Sequence, residues 1–368
     1  MLAVLTDTQG FVLWSVVKIV GVFAILMGMV AYAVLAERKI SAFIQDRLGP
    51  NRTTLPFIGS IPVIGPLLAS WGIWQPMADG LKSFFKEDFT PAHVRKVYFW
   101  MAPAITMIPA LLTVAVIPFG SNIHGEKMVI ANLNVGILYT FGIVSLGVYG
   151  IVLAGYAANS KYPFLGGIRS SAQMISYEIA MGMSVIPVFL LVGDLNLSAV
   201  IDYQSGFLFG NIPVVPNWLI FKQPLAFAIF LVAAFAETNR LPFDMPECET
   251  ELVGGYNTEY SSMKFAMFFM GEYANMIASS AMMVTLFLGG WNLPWLDLDQ
   301  GQNPLWVGVL SILVFLAKVV GLVLLMIWVR WMWPRFRYDQ LMNLGWKRFI
   351  PLALANILLT AAILRLRA

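Results

Sequence analysis

The sequence predicts an all-α integral membrane protein with eight transmembrane helices and a long first cytoplasmic loop that carries interfacial helices. Hydrophobic residues make up 59% of the 368 residues, charged residues only 12%, and the mean hydropathy is +0.76. In soluble domains about a quarter of the residues are charged, so this composition excludes an ordinary soluble domain. Apolar stretches of about 20 residues, the length that crosses a bilayer as a helix, recur along the chain. We therefore expect one membrane domain over residues 1–368.

The apolar stretches define the predicted spans in chain order. The first is too long for the core of a signal peptide, so we expect it to remain in the protein. The fifth is the least regular, because Lys222 and Pro224 interrupt its start. The eight spans are Phe11–Ala36, Val97–Phe119, Val135–Ala157, Ala172–Val192, Trp218–Ala236, Met263–Leu288, Leu305–Val329 and Phe349–Leu364.

Segment Thr53–Trp74 is nearly apolar enough to be a ninth span. It contains three prolines and three glycines, which interrupt a helix repeatedly. A ninth span would also invert all later loops. We interpret the segment as re-entrant or interfacial.

The placement of basic residues predicts the orientation. Most of the 23 lysines and arginines fall after spans one, three, five and seven. The opposite side holds Lys18, Lys127 and Lys222, with Arg365 and Arg367 near the end. Since basic residues mark cytoplasmic connections, loops 37–96 and 237–262 are predicted to be cytoplasmic and both termini periplasmic.

Composition also excludes several kinds of site. Cys248 is the only cysteine and there are two histidines, so we expect no disulfide, metal site, iron–sulfur cluster or haem pair held by this chain. The net charge of +3 is too small to indicate nucleic-acid binding. We therefore predict that this chain binds no redox cofactor of its own.

Three carboxylates lie within or beside the predicted spans. Glu237 ends span five, Glu178 lies about 9 Å inside span four, and Glu272 lies about 13 Å inside span six. Ionisable groups at such depths are costly and typically mark a route for protons or ions. The alternative is a buried structural network, such as Glu272 with Lys318.

An acidic run follows span five. Its ionisable residues are Glu237, Arg240, Asp244, Glu247, Glu249 and Glu251. Arg240 follows Glu237 by three positions, which favours an ion pair within one helix. Alternatively, Arg240 holds the acidic loop in one of two arrangements.

The first loop alternates charged and apolar residues. This pattern is typical of a helix lying in the membrane interface and contacting a soluble partner, although a solvated loop is the simpler alternative. The candidate residues are Glu37, Arg38, Arg47, Arg52, Asp79, Lys82, Lys86 and Glu87.

Several of these motifs together resemble those of one family of membrane subunits of respiratory complex I, the H subunits of bacterial NADH-quinone oxidoreductase. The resemblance extends over residues 30–350, and several motifs are highly specific. The matching segments include Glu37–Lys39, Arg47–Arg52, Gln75–Gly80, Phe85–Asp88, Ser160–Tyr162, Arg169–Gln173, Ser176–Glu178, Ala236–Tyr260, Phe268–Tyr273, Phe287–Trp291 and Arg337–Leu341.

The resemblance implies a membrane protein whose cytoplasmic loops form the mouth of a chamber for a lipid-soluble quinone. NADH, FMN and iron–sulfur clusters would lie in partner subunits, and quinone reduction would act on the acidic run and then on Glu178 and Glu272. It further implies soluble quinone-module partners, other membrane subunits, membrane lipid and a bacterial inner membrane. In this family the link between the Arg47–Arg52 and Gln75–Gly80 motifs is usually short, so Thr53–Trp74 is an insertion near the implied entrance.

Two other functions remain open from the sequence. A homologous component of a membrane-bound hydrogenase or ferredoxin-linked complex shares much of the pattern, but the Arg47–Arg52 motif and the complete acidic run favour the quinone enzyme. A secondary transporter should show inverted repeats or matching broken helices, and we find none.

Overall fold

The structure, a computed structural model, describes residues 7–54, 69–123, 126–208, 215–246, 252–296, 298 and 304–367. This part of the chain is mostly helical. The helices are α1 Asp7–Ile44, α2 Gln75–Phe85, α3 Lys96–Thr113, α4 Gly136–Ala157, α5 Lys161–Val192, α6 Leu197–Tyr203, α7 Leu219–Lys222, α8 Pro224–Glu237, α9 Ser262–Phe287, α10 Leu305–Met332, α11 Tyr338–Asn343 and α12 Ile350–Arg367. Strands β1 Gly120–Ile123 and β2 Glu126–Met128 form a short antiparallel hairpin between α3 and α4.

Six helices of the described chain are long and apolar enough to span a membrane. They are α1, α3, α4, α5, α10 and the continuous helix from Tyr338 to Leu366. The other two predicted spans fall on α8, which is apolar but has 14 residues, and on α9, which has 26 residues and contains Lys264, Glu272 and Asn275. The expected helical membrane architecture is confirmed at this level, and the count of eight spans stays a prediction.

Two helices begin well before the predicted spans. Helix α5 begins at Lys161 instead of Ala172, and the last helix begins at Tyr338 instead of Phe349. The additional turns contain polar residues, so a prediction from hydropathy does not include them. A π-helical turn, Leu344–Phe349, joins α11 to α12.

Local sequence explains several helix ends. Pro224 occupies the first position of α8, where no backbone N–H is needed. Gly193 ends α5 with a φ of 81°, in the left-handed region that glycine adopts at little cost. The side chain of Asn196 accepts a hydrogen bond from the Ser198 N–H at 2.8 Å and so caps α6.

Small residues allow close packing around α4. A Cβ atom on Gly150 would lie 2.7 Å from the Thr106 backbone nitrogen of α3, and one on Gly155 would lie 2.6 Å from the Pro163 carbonyl oxygen of α5. Such contacts let membrane helices approach closely. A large cluster of buried apolar side chains joins α1, α5, α8, α9 and α10. The candidate site lies among these helices.

Candidate functional site

The centre of the site is a buried group of charged side chains around Glu37, which we call the Glu37 cluster. It consists of Glu37 from α1, Arg240 after α8, Glu272 and Tyr273 from α9, and Arg330 near the end of α10. Arg240 Nη1 donates to Glu37 Oε2 at 3.1 Å. The Tyr273 hydroxyl donates to the same oxygen, and Arg330 pairs with Glu37 Oε1. Both carboxylate oxygens of Glu37 are therefore engaged.

Arg240 joins the two carboxylates of this cluster. Its side chain is 3% exposed, its Nε lies 3.5 Å from Glu272 Oε1, and its guanidinium carbon lies 4.1 Å from the centre of the Tyr273 ring. Burial alone would lower the pKa of Arg240, but Glu272, Tyr273 and Glu37 together raise the pKa well above its ordinary value. Arg240 thus remains a cation, and with all groups ionised two carboxylates balance two guanidinium groups.

A cavity of about 620 Å³ adjoins the cluster. Its wall is mainly apolar, and the polar groups in it include Glu37, Arg38, Asp79 and Tyr273. This volume is in the range of small-molecule sites, in which a few polar groups orient an otherwise apolar ligand. The apolar wall includes Met27, Val30, Val34, Phe84, Phe265, Ala266, Phe269, Met270 and Trp331.

Helix α2 lines this cavity and is bound to α1 on one side and to the start of α9 on the other. Arg38 of α1 forms an ion pair of 2.7 Å with Asp79 of α2. The Ser262 hydroxyl, at the start of α9, donates to the backbone carbonyls of Ser83 and Lys86 at 3.0 and 2.9 Å. The cavity is therefore bounded by α1, α2 and α9.

Two further carboxylates lie away from the large cavity. Glu237 is 7% exposed, and its Oε2 has no hydrogen-bond partner among the described residues. It lines a small cavity of about 30 Å³, which is large enough to hold at least one water molecule. Glu178, half-buried on α5, interacts electrostatically with Glu237. Polar side chains lining the small cavity are Thr113, Thr140, Thr238, Asn275 and Ser279.

The loop that carries Arg240 is held at both ends. The fully buried Gln173 side chain donates to the carbonyls of Ala236 and Phe243, each at 2.7 Å. Arg335 Nη2 lies 3.0 Å from Asp244 Oδ2. These contacts place the guanidinium of Arg240 between α1 and α9.

The structure decides between structural alternatives raised by the sequence. Within the described residues Arg240 pairs with Glu37 and Glu272, and not with Glu237 three positions earlier. Lys318 does not pair with Glu272, because its ammonium group caps the chain after α9. The acceptors are the backbone carbonyls of Leu288, Gly290 and Asn292, at 2.7, 2.9 and 2.8 Å.

The other predicted site residues fall into two groups. Arg47, Arg52, Lys82, Lys86 and Glu87 are exposed on the first loop. Glu247, Glu249 and Glu251 lie outside the described residues, as do residues 55–68 of the Thr53–Trp74 segment. In the described chain, no three His, Cys, Asp or Glu residues form a group that could hold a metal ion.

Sequence reasoning missed several residues that build the site. In the sequence, Arg330 and Arg335 were used only to predict the membrane orientation, because basic residues at span ends usually mark the cytoplasmic side. Gln173 gave no signal beyond its place in a matching motif. The only indication in the sequence that Gln173 is buried was its position near the start of the apolar span Ala172–Val192.

Comparisons with known proteins agree on one family. A sequence model described as NADH dehydrogenase matches residues 17–361. The H subunit of NADH-quinone oxidoreductase from Flavobacterium psychrophilum is 46% identical over 366 residues, covering 97% of this chain and 99% of the relative. An H subunit of the enzyme of the same name from Cytophaga hutchinsonii is 45% identical, covering 96% and 97%. The corresponding protein from Rhodospirillum centenum is 48% identical, covering 95% and 93%.

Proposed function

Because the chain belongs to the family of NADH-quinone oxidoreductase H subunits, we propose that it forms the membrane side of a quinone chamber and couples quinone reduction to proton transfer. The single observation that carries this proposal is the 620 Å³ cavity next to the buried Glu37 cluster. An apolar wall suits the ring and tail of a lipid-soluble quinone. The polar groups of Glu37, Arg38, Asp79 and Tyr273 suit its carbonyl oxygens.

The chemistry assigned to this chain is electrostatic. A quinone that becomes a quinol takes up two electrons and two protons, with the electrons supplied by NADH through FMN and iron–sulfur clusters in partner subunits. This chain's part is to bind the quinone and to respond to the change of charge beside Glu37. Because the cluster balances two carboxylates against two guanidinium groups, protonating either carboxylate leaves Arg240 with one strong partner.

The response of Arg240 gives a route to the other carboxylates. Arg240 follows α8 by three residues, and Glu237 is the last residue of α8. A shift of the loop therefore acts on Glu237 first and on Glu178 through its electrostatic interaction with Glu237. In this proposal Glu178, Glu237 and Glu272 pass protons toward other membrane subunits, with the acidic residues Asp244, Glu247, Glu249 and Glu251 controlling the loop.

The proposed setting is a bacterial inner membrane. Helices α8 and α9 complete eight spans, with both termini periplasmic and loops 37–96 and 237–262 cytoplasmic, as the asymmetry of lysine and arginine favours. The exposed residues of the first loop then contact a soluble protein of the quinone module. The remaining apolar faces contact lipid and other membrane subunits of the complex.

Photolabelling of the intact complex tests the quinone site. We would isolate the complex through a tag on this chain and irradiate it with a photoreactive quinone analogue, with and without excess quinone. The proposal predicts protected labelling on α1, α2 and α9, at residues such as Val34, Phe84 and Phe269 that line the cavity. Labelling confined to lipid-facing residues such as Leu138 and Tyr149, which are 60% and 62% exposed, would contradict it.

A further inference from the structure

The chain between α10 and α12 contacts both the Arg240 loop and the middle of α5. We call residues 333–349 the bridging segment. It comprises the connection after α10, helix α11 and the π-helical turn Leu344–Phe349. The whole segment lies within the described residues, and none of its residues lines the 620 Å³ cavity.

One end of the bridging segment holds the loop after Arg240. Arg335 Nη2 is 3.0 Å from Asp244 Oδ2, and the Phe336 N–H donates to the Pro242 carbonyl at 3.1 Å. The ring of Phe336 also stacks on Phe243, with centroids 5.4 Å apart and planes inclined by 19°. An ion pair, a backbone hydrogen bond and a ring contact from two successive residues fix the position of residues 242–244.

The other end holds α5 directly before Glu178. The Tyr177 hydroxyl donates to the Leu341 carbonyl at 2.9 Å, and Trp346 Nε1 donates to the Ser176 hydroxyl at 3.0 Å. Tyr177 is fully buried, and its ring packs against the backbone of Gly345. Two successive residues of α5 are thus tied to the bridging segment.

The π-helical turn lies at this second end. π-helical turns are rare, and they are frequently found at functional sites. Here the turn contains Gly345, on which a Cβ atom would lie 3.5 Å from the Tyr177 ring, and Trp346, whose indole N–H donates to the Ser176 hydroxyl.

We propose that the bridging segment is a positioning element that makes the place of Glu178 depend on the place of the Arg240 loop. Arg335 holds the loop, Trp346 holds α5, and the residues between them transmit the displacement. Both are positioning residues and not catalytic residues, because they act through Asp244 and Ser176. The inference rests on the proposed function, since it assigns this link to the coupling step.

Variants in the intact complex test the link. We would compare Arg335→Gln, Arg335→Lys and Trp346→Phe with the control Trp328→Phe, whose side chain on α10 is 56% exposed. The ratio of protons translocated to electrons transferred is measured in proteoliposomes together with KM for quinone. We expect Arg335→Gln and Trp346→Phe to lower the ratio by about twofold or more, with KM nearly unchanged, and Arg335→Lys to restore most of it.

Non-additivity is the second criterion. Since both residues act in one link, the Arg335→Gln/Trp346→Phe double variant should lower the ratio no further than the stronger single variant. A merely structural role would reduce turnover or assembly while the ratio stays constant. That result, or an unchanged ratio in both single variants, would overturn the proposal.

Hydrogen exchange separates failure of the link from failure of the proposed function. Backbone exchange of residues 238–246 is measured by mass spectrometry in the same complexes, without turnover. The proposal predicts faster exchange there in Trp346→Phe, although Trp346 contacts α5, and no change in Trp328→Phe. Unchanged exchange in Trp346→Phe rejects the link whether or not the complex pumps protons.

Discussion

Arg240 and Glu37 are separated by 203 positions in the chain, yet the Arg240 Nη1 lies 3.1 Å from Glu37 Oε2 in the buried interior. Glu37 belongs to the first loop's candidate residues, and Arg240 to the acidic run. Their contact merges two sets of residues that the sequence left apart. The 620 Å³ cavity therefore adjoins one charge-balanced group that includes Glu272.

Glu37→Gln should abolish most quinone reduction. The substitution removes the carboxylate that pairs with both Arg240 and Arg330 and leaves Glu272 as the one carboxylate of the cluster. Unbalancing a buried ion pair costs about 3–5 kcal/mol. We expect quinone reductase activity to fall by about tenfold or more, normalised to NADH oxidation with a water-soluble artificial acceptor in the assembled complex. Glu126→Gln is the control, because Glu126 is 47% exposed and pairs with Lys18 elsewhere. Equal activity of the two variants would count against the cluster.

Glu237→Gln should impair proton transfer more than quinone binding. Glu237 is buried and lines the small cavity, but it does not line the 620 Å³ cavity. An amide of the same shape cannot exchange a proton, so we expect turnover to fall by about tenfold or more with KM for quinone unchanged. Glu178→Gln should behave alike, because the two carboxyl groups interact. Wild-type turnover in both variants would refute the proton route.

Ala266→Trp should obstruct the large cavity. Ala266 lines it on α9, and a large side chain there must displace neighbouring atoms or the ligand. We expect KM for quinone to rise by about tenfold, which corresponds to about 1.4 kcal/mol. Leu138→Trp on the exposed face of α4 is the matched control. If both variants keep the wild-type KM, the quinone does not use this cavity.

The Arg38–Asp79 ion pair should govern access to the cavity and contribute little to stability. The side chains are 45% and 32% exposed, and such pairs contribute about 0–1 kcal/mol. We therefore expect Asp79→Asn to assemble normally but to bind quinone-site inhibitors more weakly. The exchanged pair Arg38→Asp/Asp79→Arg should recover part of the inhibitor sensitivity. A thermal-stability loss with normal inhibition would assign the pair a structural role.

Hydropathy predicted the helices well where lipid-facing residues dominate. Helix α10, Leu305–Met332, matches the predicted Leu305–Val329 almost completely. Hydropathy was insufficient where polar residues extend a helix, as in α5 from Lys161, or where the helix at a predicted span has only 14 residues, as in α8. The hairpin β1–β2 could not be recognised in the sequence, because its strands have only four and three residues.

The sequence pattern identified individual residues of the candidate site better than it identified the ion pairs between them. The embedded carboxylates stand out because charge is rare within spans, so Glu178 and Glu272 could be found from the sequence. The pairing of Arg240 with Glu37 could not, since it depends on the packing of α1 against α9. Local spacing favoured a pair with Glu237 instead, and tertiary packing overrode that preference.

The infrared difference spectrum of the intact complex on quinone reduction tests the coupling between quinone reduction and the Glu37 cluster directly. In the proposed mechanism, quinone reduction changes the protonation or hydrogen bonding of Glu37 and, through Arg240, of Glu272. We expect a carboxyl C=O difference signal that is lost or shifted in both Glu37→Gln and Glu272→Gln and retained in Glu126→Gln. An identical difference spectrum in all three variants would contradict it.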